Sequence, residues 1–226
     1  MGSTVVKEYN VSPYFDDFDE TKNFHRILFK PGFSVQAREL TQMQTAFQAQ
    51  LDRFGQWAFK DGEKVVLGQT HIHAGKTALD YIKIETSFTH SSTNYTVDES
   101  YLNGFVGKII TGATTGVEFE VVKVIKSAGS DPHTLYGNYK KAGTNGSTTV
   151  FAAEEILSYS GPVYAKVKPN SDTPIGKGSF VSIDEGAYFV KGCFIYVPAE
   201  PYFSLDKYSG TPSYKVGLQI TESTID

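Results

Sequence analysis

The sequence predicts an α+β protein in which one long N-terminal helix is followed by mainly antiparallel β modules. Two observations lead to this prediction. Between residues 34 and 58, apolar residues recur at alternating steps of three and four, which is the period of a helix. After Gly62 the period changes to two, and short strand-like runs alternate with glycine turns, as in antiparallel sheets. With 226 residues, 40% of them hydrophobic, the chain is long enough to bury a full core.

The chain before the helix divides into two predicted segments. Residues 1–22 show no periodicity and are predicted to form an extended arm. Residues 23–62 are predicted as a short strand, a turn and the long helix. The strand is Asn23–Lys30, whose apolar residues alternate loosely, and Pro31 and Gly32 form the turn. Ser34 is the predicted N-cap, because its hydroxyl can accept hydrogen bonds from the free amides of the first helical turn.

The helix carries one apolar stripe that follows nearly three heptads. Its residues occupy successive a and d positions and are Leu40, Met43, Phe47, Gln50, Phe54 and Trp57. Leu51 and Ala58 widen this stripe. Helix propensity agrees with the pattern, and only Gly55 is costly, by about 1 kcal/mol relative to alanine. Gly55 therefore indicates either fraying of the helix or a close approach to another element.

The rest of the helix surface is rich in glutamine, where an ordinary solvent-facing helix carries more Lys and Glu. Neutral amides suit a surface that meets another protein, although a solvated glutamine-rich face explains the composition equally well. Gln50 occupies a d position, where a buried polar residue sets register or oligomeric state, or else it is simply half-exposed. We predict an interface on this helix that comprises Leu40, Met43, Gln44, Phe47, Gln50, Phe54 and Trp57.

The β-rich remainder is predicted to form two modules. Residues 63–98 and 162–226 form one β domain, and residues 99–161 form a small inserted module that closes as a barrel or sandwich. Strand-like runs resume from Ser179 to Thr221 after the insertion. A weak internal repeat relates Asp61–Ile72 to Glu185–Tyr196, and the two copies are expected to pair within one sheet.

Charge and composition exclude several classes of function. The net charge is -4 and there is no long basic run, so nucleic-acid binding is not expected. No apolar segment approaches the ~20 residues of a membrane helix, and the first ten residues lack the apolar core of a signal peptide. The single cysteine, Cys193, excludes an internal disulfide framework. We find no nucleophile-elbow, dinucleotide-binding or zinc-protease motif, so the chain is not expected to be an enzyme.

His71 and His73 form the candidate metal site. Alternate residues of a strand point to the same face, so these two imidazoles can begin a metal site. Two ligands are too few within one chain. Around the axis of a trimer, however, three such pairs would offer six nitrogens to an iron or zinc ion. The other interpretation is a pair of ordinary strand histidines.

Several segments resemble a family of structural proteins of tailed bacteriophages. The family is common in contractile-tailed marine phages and cyanophages, where its members are assigned to baseplates and tail fibres. The resemblance covers nearly the whole chain, and its first fifty residues are the most specific part. It rests on Tyr14–Asp19, Lys22–Gly32, Val35–Gln44, Gly112–Gly116, Asp131–Tyr136, Asp184–Gly192 and Leu205–Ser209.

The resemblance implies a virion structural protein of the phage tail, in the baseplate or at the attachment of a tail fibre. Such a protein would be made in the host cytoplasm and would bind baseplate wedge or fibre subunits. A homo-oligomer is expected, with a trimer favoured. The alternative is a receptor- or carbohydrate-binding β module of a tail fibre, because the chain has 16 Phe and 14 Tyr that could form an exposed aromatic face.

Overall fold

A computed structural model describes residues 9–159 and 163–221 and confirms the α+β class, with one long helix followed by mostly antiparallel sheets. The helices are α1 (Ala37–Ala58) and α2 (Glu99–Asn103). The strands, in chain order, are β1 (Glu63–Leu67), β2 (Thr70–His73), β3 (Leu79–Ile84), β4 (Ser87–His90), β5 (Thr93–Thr96), β6 (Ile109–Gly112), β7 (Glu118–Ile125), β8 (His133–Lys141), β9 (Ile156–Tyr159), β10 (Val163–Lys166), β11 (Ile175–Ile183), β12 (Gly186–Val190), β13 (Cys193–Val197) and β14 (Glu200–Asp206).

The chain folds as two compact units whose boundaries differ from the domains expected from sequence. The first unit spans the described residues through Thr70 together with Ile183–Glu200. The second spans His71–Ser182 and the described residues from Pro201 onward. The long helix therefore shares a unit with the segment around β12 and β13, which lies more than a hundred residues further along the chain.

Helix α1 begins later than the N-cap assignment predicted. Gln36 is the N-cap, and the Glu39 carboxylate accepts a 3.0 Å hydrogen bond from its backbone N–H. A carboxylate in the first turn also interacts favourably with the positive end of the helix dipole. The prediction of Ser34 as N-cap is wrong because Glu39 performs the capping from within the helix.

The segment Asn23–Lys30 is not a strand, which corrects a second expectation. It follows a short 3-10 turn at Glu20–Lys22 and pairs with none of the described strands. Phe24 and Leu28 are exposed to solvent. Loose alternation of apolar residues does not make a strand without a neighbouring strand to supply hydrogen bonds.

In the first unit, α1 packs against a three-stranded antiparallel sheet in the order β1, β12, β13. The centre of this packing is Phe189 of β12, which is only 2% exposed and whose ring neighbours are Phe59 and Phe194. A Cβ atom added to Gly55 would lie 2.2 Å from the Phe189 ring. Gly55 therefore marks a close approach of the helix to the sheet, which is one of the two outcomes expected from sequence.

The two copies of the internal repeat contribute paired strands to the sheet of the first unit. Strand β1 from the first copy pairs antiparallel with β12 from the second, with Glu63 opposite Phe189 and Leu67 opposite Gly186. The second strand of each copy behaves differently. Strand β13 pairs with β12, whereas β2 pairs with β11 in the second unit.

The second unit contains a nine-stranded sheet in the order β10-β9-β6-β7-β8-β3-β11-β14, with β2 also paired to β11, and a separate β4-β5 hairpin. The sheet curls so that the end of β3 lies next to the residue that follows β10. An antiparallel bridge between Ile84 and Val167 joins them. Buried apolar residues fill the space enclosed by these strands, and they include Phe105, Ile110, Phe119, Leu135 and Leu157. The strands of the small β module expected at 99–161 thus share their sheet with β3 and β10, which lie outside those bounds.

The last strand ends earlier than the sequence pattern suggested. The strand-like runs were expected to continue to Thr221, but β14 ends at Asp206 and the described residues after it form no strand. Tyr214, Val216, Leu218 and Ile220 keep the alternating pattern, and all four are exposed.

Candidate interaction surface

The seven residues predicted as an interface form one exposed stripe on α1. We name Leu40, Met43, Gln44, Phe47, Gln50, Phe54 and Trp57 the α1 stripe, and all seven are exposed. Its five apolar side chains are between 44% (Met43) and 83% (Trp57) accessible to solvent. The apolar face that an amphipathic helix normally buries is therefore the face that this helix leaves uncovered.

The opposite side of α1 is buried and consists mainly of small residues. Ala46, Ala49 and Gly55 lie in the core of the first unit together with Asp52. Small side chains allow the helix backbone to lie close to the aromatic ring of Phe189. This packing explains why the helix turns its large apolar residues outward.

The glutamine-rich face divides into a bonded part and an exposed part. Gln48 Nε2 donates a 3.0 Å hydrogen bond to the carbonyl of Gly192, in the turn between β12 and β13. Gln56 Nε2 donates a 2.8 Å bond to the Asp52 carboxylate. Gln44 and Gln50, in contrast, face solvent within the α1 stripe.

The segment before the helix lies alongside α1. The Thr45 hydroxyl donates a hydrogen bond to the buried carboxylate of Asp16. Arg53 donates from Nε at 2.9 Å and from Nη2 at 2.7 Å to the Glu20 carboxylate. These contacts anchor the described part of the predicted arm, and residues 1–8 lie outside the described residues.

The α1 stripe contains no charged residue, and few lie beside it. Between Leu40 and Trp57 the ionisable side chains are Asp52, which is buried, and Arg53, which is paired with Glu20. A surface of this kind is apolar with neutral amides at its margins. It suits contact with another protein better than binding of a charged small molecule.

A pocket of about 140 Å³ lies between α1 and the segment before it, which we name the N-terminal segment. Its lining mixes charges of both signs, with Asp17 and Asp19 beside Lys22 and Arg26. Ligand pockets are usually about 300 Å³ or larger. The pocket is therefore too small and too mixed in charge to indicate a class of ligand.

The two candidate metal ligands lie on β2 in the second unit. The His73 ring packs 5.0 Å from the Tyr202 ring, and its Nε2 atom lies 3.3 Å from the Ser182 hydroxyl. Burial lowers the pKa of His73, and the neighbouring His71 lowers it further. A neutral imidazole is the form that binds metals. Within the described residues, no group of three or more His, Cys, Asp or Glu side chains is arranged to hold a metal ion. The iron or zinc site at a trimer axis stays a prediction that needs ligands from other copies.

Further exposed apolar residues lie in the segment before the helix, and sequence reasoning missed them. Phe24, Leu28, Phe33 and Val35 are all exposed. Phe24 and Leu28 belong to Asn23–Lys30, whose loose alternation predicts a strand, whereas Phe33 and Val35 lie beyond that segment. The available signal was the absence of any nearby sequence with which that strand could form a hairpin.

The comparisons with known proteins identify one domain family in part of the chain. A family model described as a domain of unknown function (DUF4815) matches residues 12–86. No curated protein and no solved structure matches the chain. No helix among the described residues is long and apolar enough to cross a membrane. The matched region contains the whole α1 stripe and the segment that packs beside α1.

Proposed function

We propose that the chain is a virion structural protein of a phage tail, a component of the baseplate or of a tail-fibre attachment. It acts by protein–protein assembly and catalyses no reaction. The observation that carries the proposal is the α1 stripe, a largely apolar face on the longest helix, which the chain's own core leaves uncovered. The resemblance to phage tail proteins suggests what covers this face, namely a neighbouring subunit of the assembled tail.

The size of the α1 stripe supports a role in binding. An aromatic side chain buries about 150–250 Å². At their observed exposure, Phe47, Phe54 and Trp57 alone offer about 450 Å² of apolar surface. At about 25 cal/mol per Å², covering it would contribute roughly 11 kcal/mol before the costs of association. Those costs are about 4–15 kcal/mol, so the stripe can supply much of the driving force for a stable complex.

The proposed mechanism divides the chain by function. The N-terminal segment and α1, together residues 1–60, bind tail partners or sister subunits, and the β modules act as a spacer or decoration. The ion pair between Arg53 and Glu20 and the bond between Thr45 and Asp16 support this division. They tie the N-terminal segment to α1 as one binding element that leaves the stripe free.

The chemistry of the α1 stripe favours assembly over the alternative of carbohydrate binding. A sugar site combines an exposed ring with converging polar groups that bind hydroxyls. Trp57 is exposed, but its ring neighbour is Phe54, at 6.3 Å between centroids. A line of large apolar side chains with only neutral amides among them suits a protein surface better than a sugar.

The proposal is tested in particles of the phage whose genome encodes the chain. Mass spectrometry of purified virions and immunogold labelling of their tails should detect the protein at the tail or baseplate. Complementation with Phe54→Glu should fail to restore the protein to the particle, whereas Phe203→Glu should restore it. Phe203 is a matched control for Phe54 because the two residues are 59% and 58% exposed. Purified virions that lack the protein would refute the proposal.

A further inference from the structure

The α1 stripe has the spacing of a seam between helices of the same kind. Leu40, Phe47 and Phe54 recur every seven residues, and Met43, Gln50 and Trp57 do so three residues later. Apolar a and d positions with this repeat form knobs that insert into holes on a facing helix with the same repeat. A second copy of α1 has the same a and d residues and therefore the matching pattern.

Gln50 defines how two such helices can face each other. In a parallel, in-register arrangement, Gln50 meets Gln50 of the neighbouring copy, and the two amides can donate to and accept from each other. In a fully overlapped antiparallel arrangement, Gln50 would lie opposite Phe47 and its amide would be buried without a partner. Parallel packing in register therefore satisfies the polar residue of the stripe.

The electrostatics also favour copies of the same chain. Identical helices in register place identical side chains close together, so unpaired charges would repel. The α1 stripe carries no charged residue, and the flanking Arg53 is neutralised by Glu20 of its own chain. A stripe bordered by Gln44 in place of Lys or Glu avoids that repulsion.

The width of the exposed face indicates the number of copies. A seam between two helices needs only a and d residues, and a wider face includes the e positions. Here the e positions are Gln44 and Ala58, which are exposed, and Leu51, which is half-buried. In a bundle of three helices each copy faces two neighbours, and the wider face is covered. The opposite side of α1 is already occupied by the core of the first unit, so the face cannot extend further.

We infer that the α1 stripe joins three copies of this chain through a parallel, in-register helical seam with Gln50 in its central polar layer. This inference rests on the proposed function and names the chain itself as the partner of the stripe. The aromatic residues of the stripe offer about 450 Å² per chain, more than half of the ~800 Å² that each partner contributes to a standard interface.

The test is the mass of the purified 226-residue chain, measured by light scattering and sedimentation from low to high micromolar concentration. The expected species has three times 24.9 kDa, or about 75 kDa. Phe54→Glu should weaken association by about 100-fold or more, because each copy would bury an unpaired carboxylate. Phe203→Glu, with the same change at equal exposure, should leave the mass unchanged. Circular dichroism of both variants verifies that they are folded.

The orientation is tested by cross-linking Leu40→Cys in a Cys193→Ser background with a short bismaleimide. In a parallel seam the introduced thiols lie side by side and cross-link. In an antiparallel seam, 17 residues at 1.5 Å per residue separate them by about 26 Å, and no product forms. Failure to cross-link in a sample of trimer mass would overturn the parallel arrangement.

The remaining outcomes separate this inference from the proposed function. A monomeric mass at every concentration, a dimer, or a trimer that Phe54→Glu leaves intact would each overturn the inference. If the chain is monomeric but Phe54→Glu still prevents its incorporation into tails, the inference fails and the proposed function stands. A trimer that is absent from virions would support the inference and refute the proposed function.

Discussion

Replacing Gly55 by alanine tests whether α1 lies against the sheet of the first unit as described. A Cβ atom at this position would lie 2.2, 2.6 and 2.9 Å from three ring carbons of Phe189. The nearest of these contacts needs about 1.2 Å more to reach ordinary van der Waals distance, 3.4 Å. Phe189 cannot yield this space easily, because it is buried and packed against Phe59 and Phe194.

Two effects of opposite sign decide the magnitude. Alanine is a better helix former than glycine by about 1 kcal/mol, which stabilises the variant. Overpacking a tight contact costs about 1–3 kcal/mol, and a required shift of more than 1 Å points to the upper end of that range. Gly55→Ala should therefore lower the free energy of unfolding by about 2 kcal/mol.

The assay is urea unfolding followed by circular dichroism at 222 nm, because α1 supplies 22 of the 27 described α-helical residues, with α2 supplying the other 5. The control Gln50→Ala changes an exposed helix residue and should alter stability by less than about 0.5 kcal/mol. Phe189→Leu should relieve the clash, so the double variant should lose less stability than the two single changes combined. A Gly55→Ala protein that is more stable than the parent would refute the packing of α1 against Phe189.

Three further predictions concern single side chains. Glu155→Ala should destabilise the second unit by roughly 3 kcal/mol or more in thermal melts, because the buried carboxylate accepts from three backbone N–H groups; the exposed neighbour Glu154→Ala should have little effect. The pKa of His73 is lower in the native chain than its ordinary value of 6.5. As the pH falls through 6.5, the unfolded chain therefore binds more protons than the native chain. Stability should therefore fall as the pH drops through 6.5, and His73→Phe should reduce that slope. Arg53→Ala removes a solvent-exposed ion pair with Glu20 and should cost under about 1 kcal/mol in urea unfolding; a larger loss would contradict the weak contribution expected of an exposed pair.

The helix was predictable because its evidence is local. Alternating steps of three and four from Leu40 to Trp57 identify both the helix and its apolar face, and α1 ends at Ala58 as that pattern does. Which face of α1 packs against the chain's own core was not predictable in the same way. A large apolar face is normally the buried one, and Ala46, Ala49 and Gly55 form a weaker second stripe whose burial depends on Phe189.

In the β region, likewise, the presence of strands could be predicted from the local sequence, whereas their pairing could not. Turn glycines and alternating residues predicted that the chain after Gly62 is rich in strands, and the structure confirms it. Pairing partners depend on contacts between distant residues, so the pairing of β3 with β8 and the bridge from Ile84 to Val167 could not be derived from spacing. Glu154 and Glu155 are equally acidic neighbours in the sequence, yet only Glu155 is buried, where it holds the turn at Thr114 and Thr115.

The most direct test of the account is the fluorescence of Trp57, which is the only tryptophan in the chain and the most exposed apolar residue of the α1 stripe. We predict a solvent-exposed, iodide-quenchable emission at low concentration. As concentration rises, the emission should shift to the blue and become protected from iodide, with the same midpoint as the increase in mass. Emission that stays exposed and quenchable while the chains associate would show that the copies meet elsewhere and would contradict the role assigned to α1.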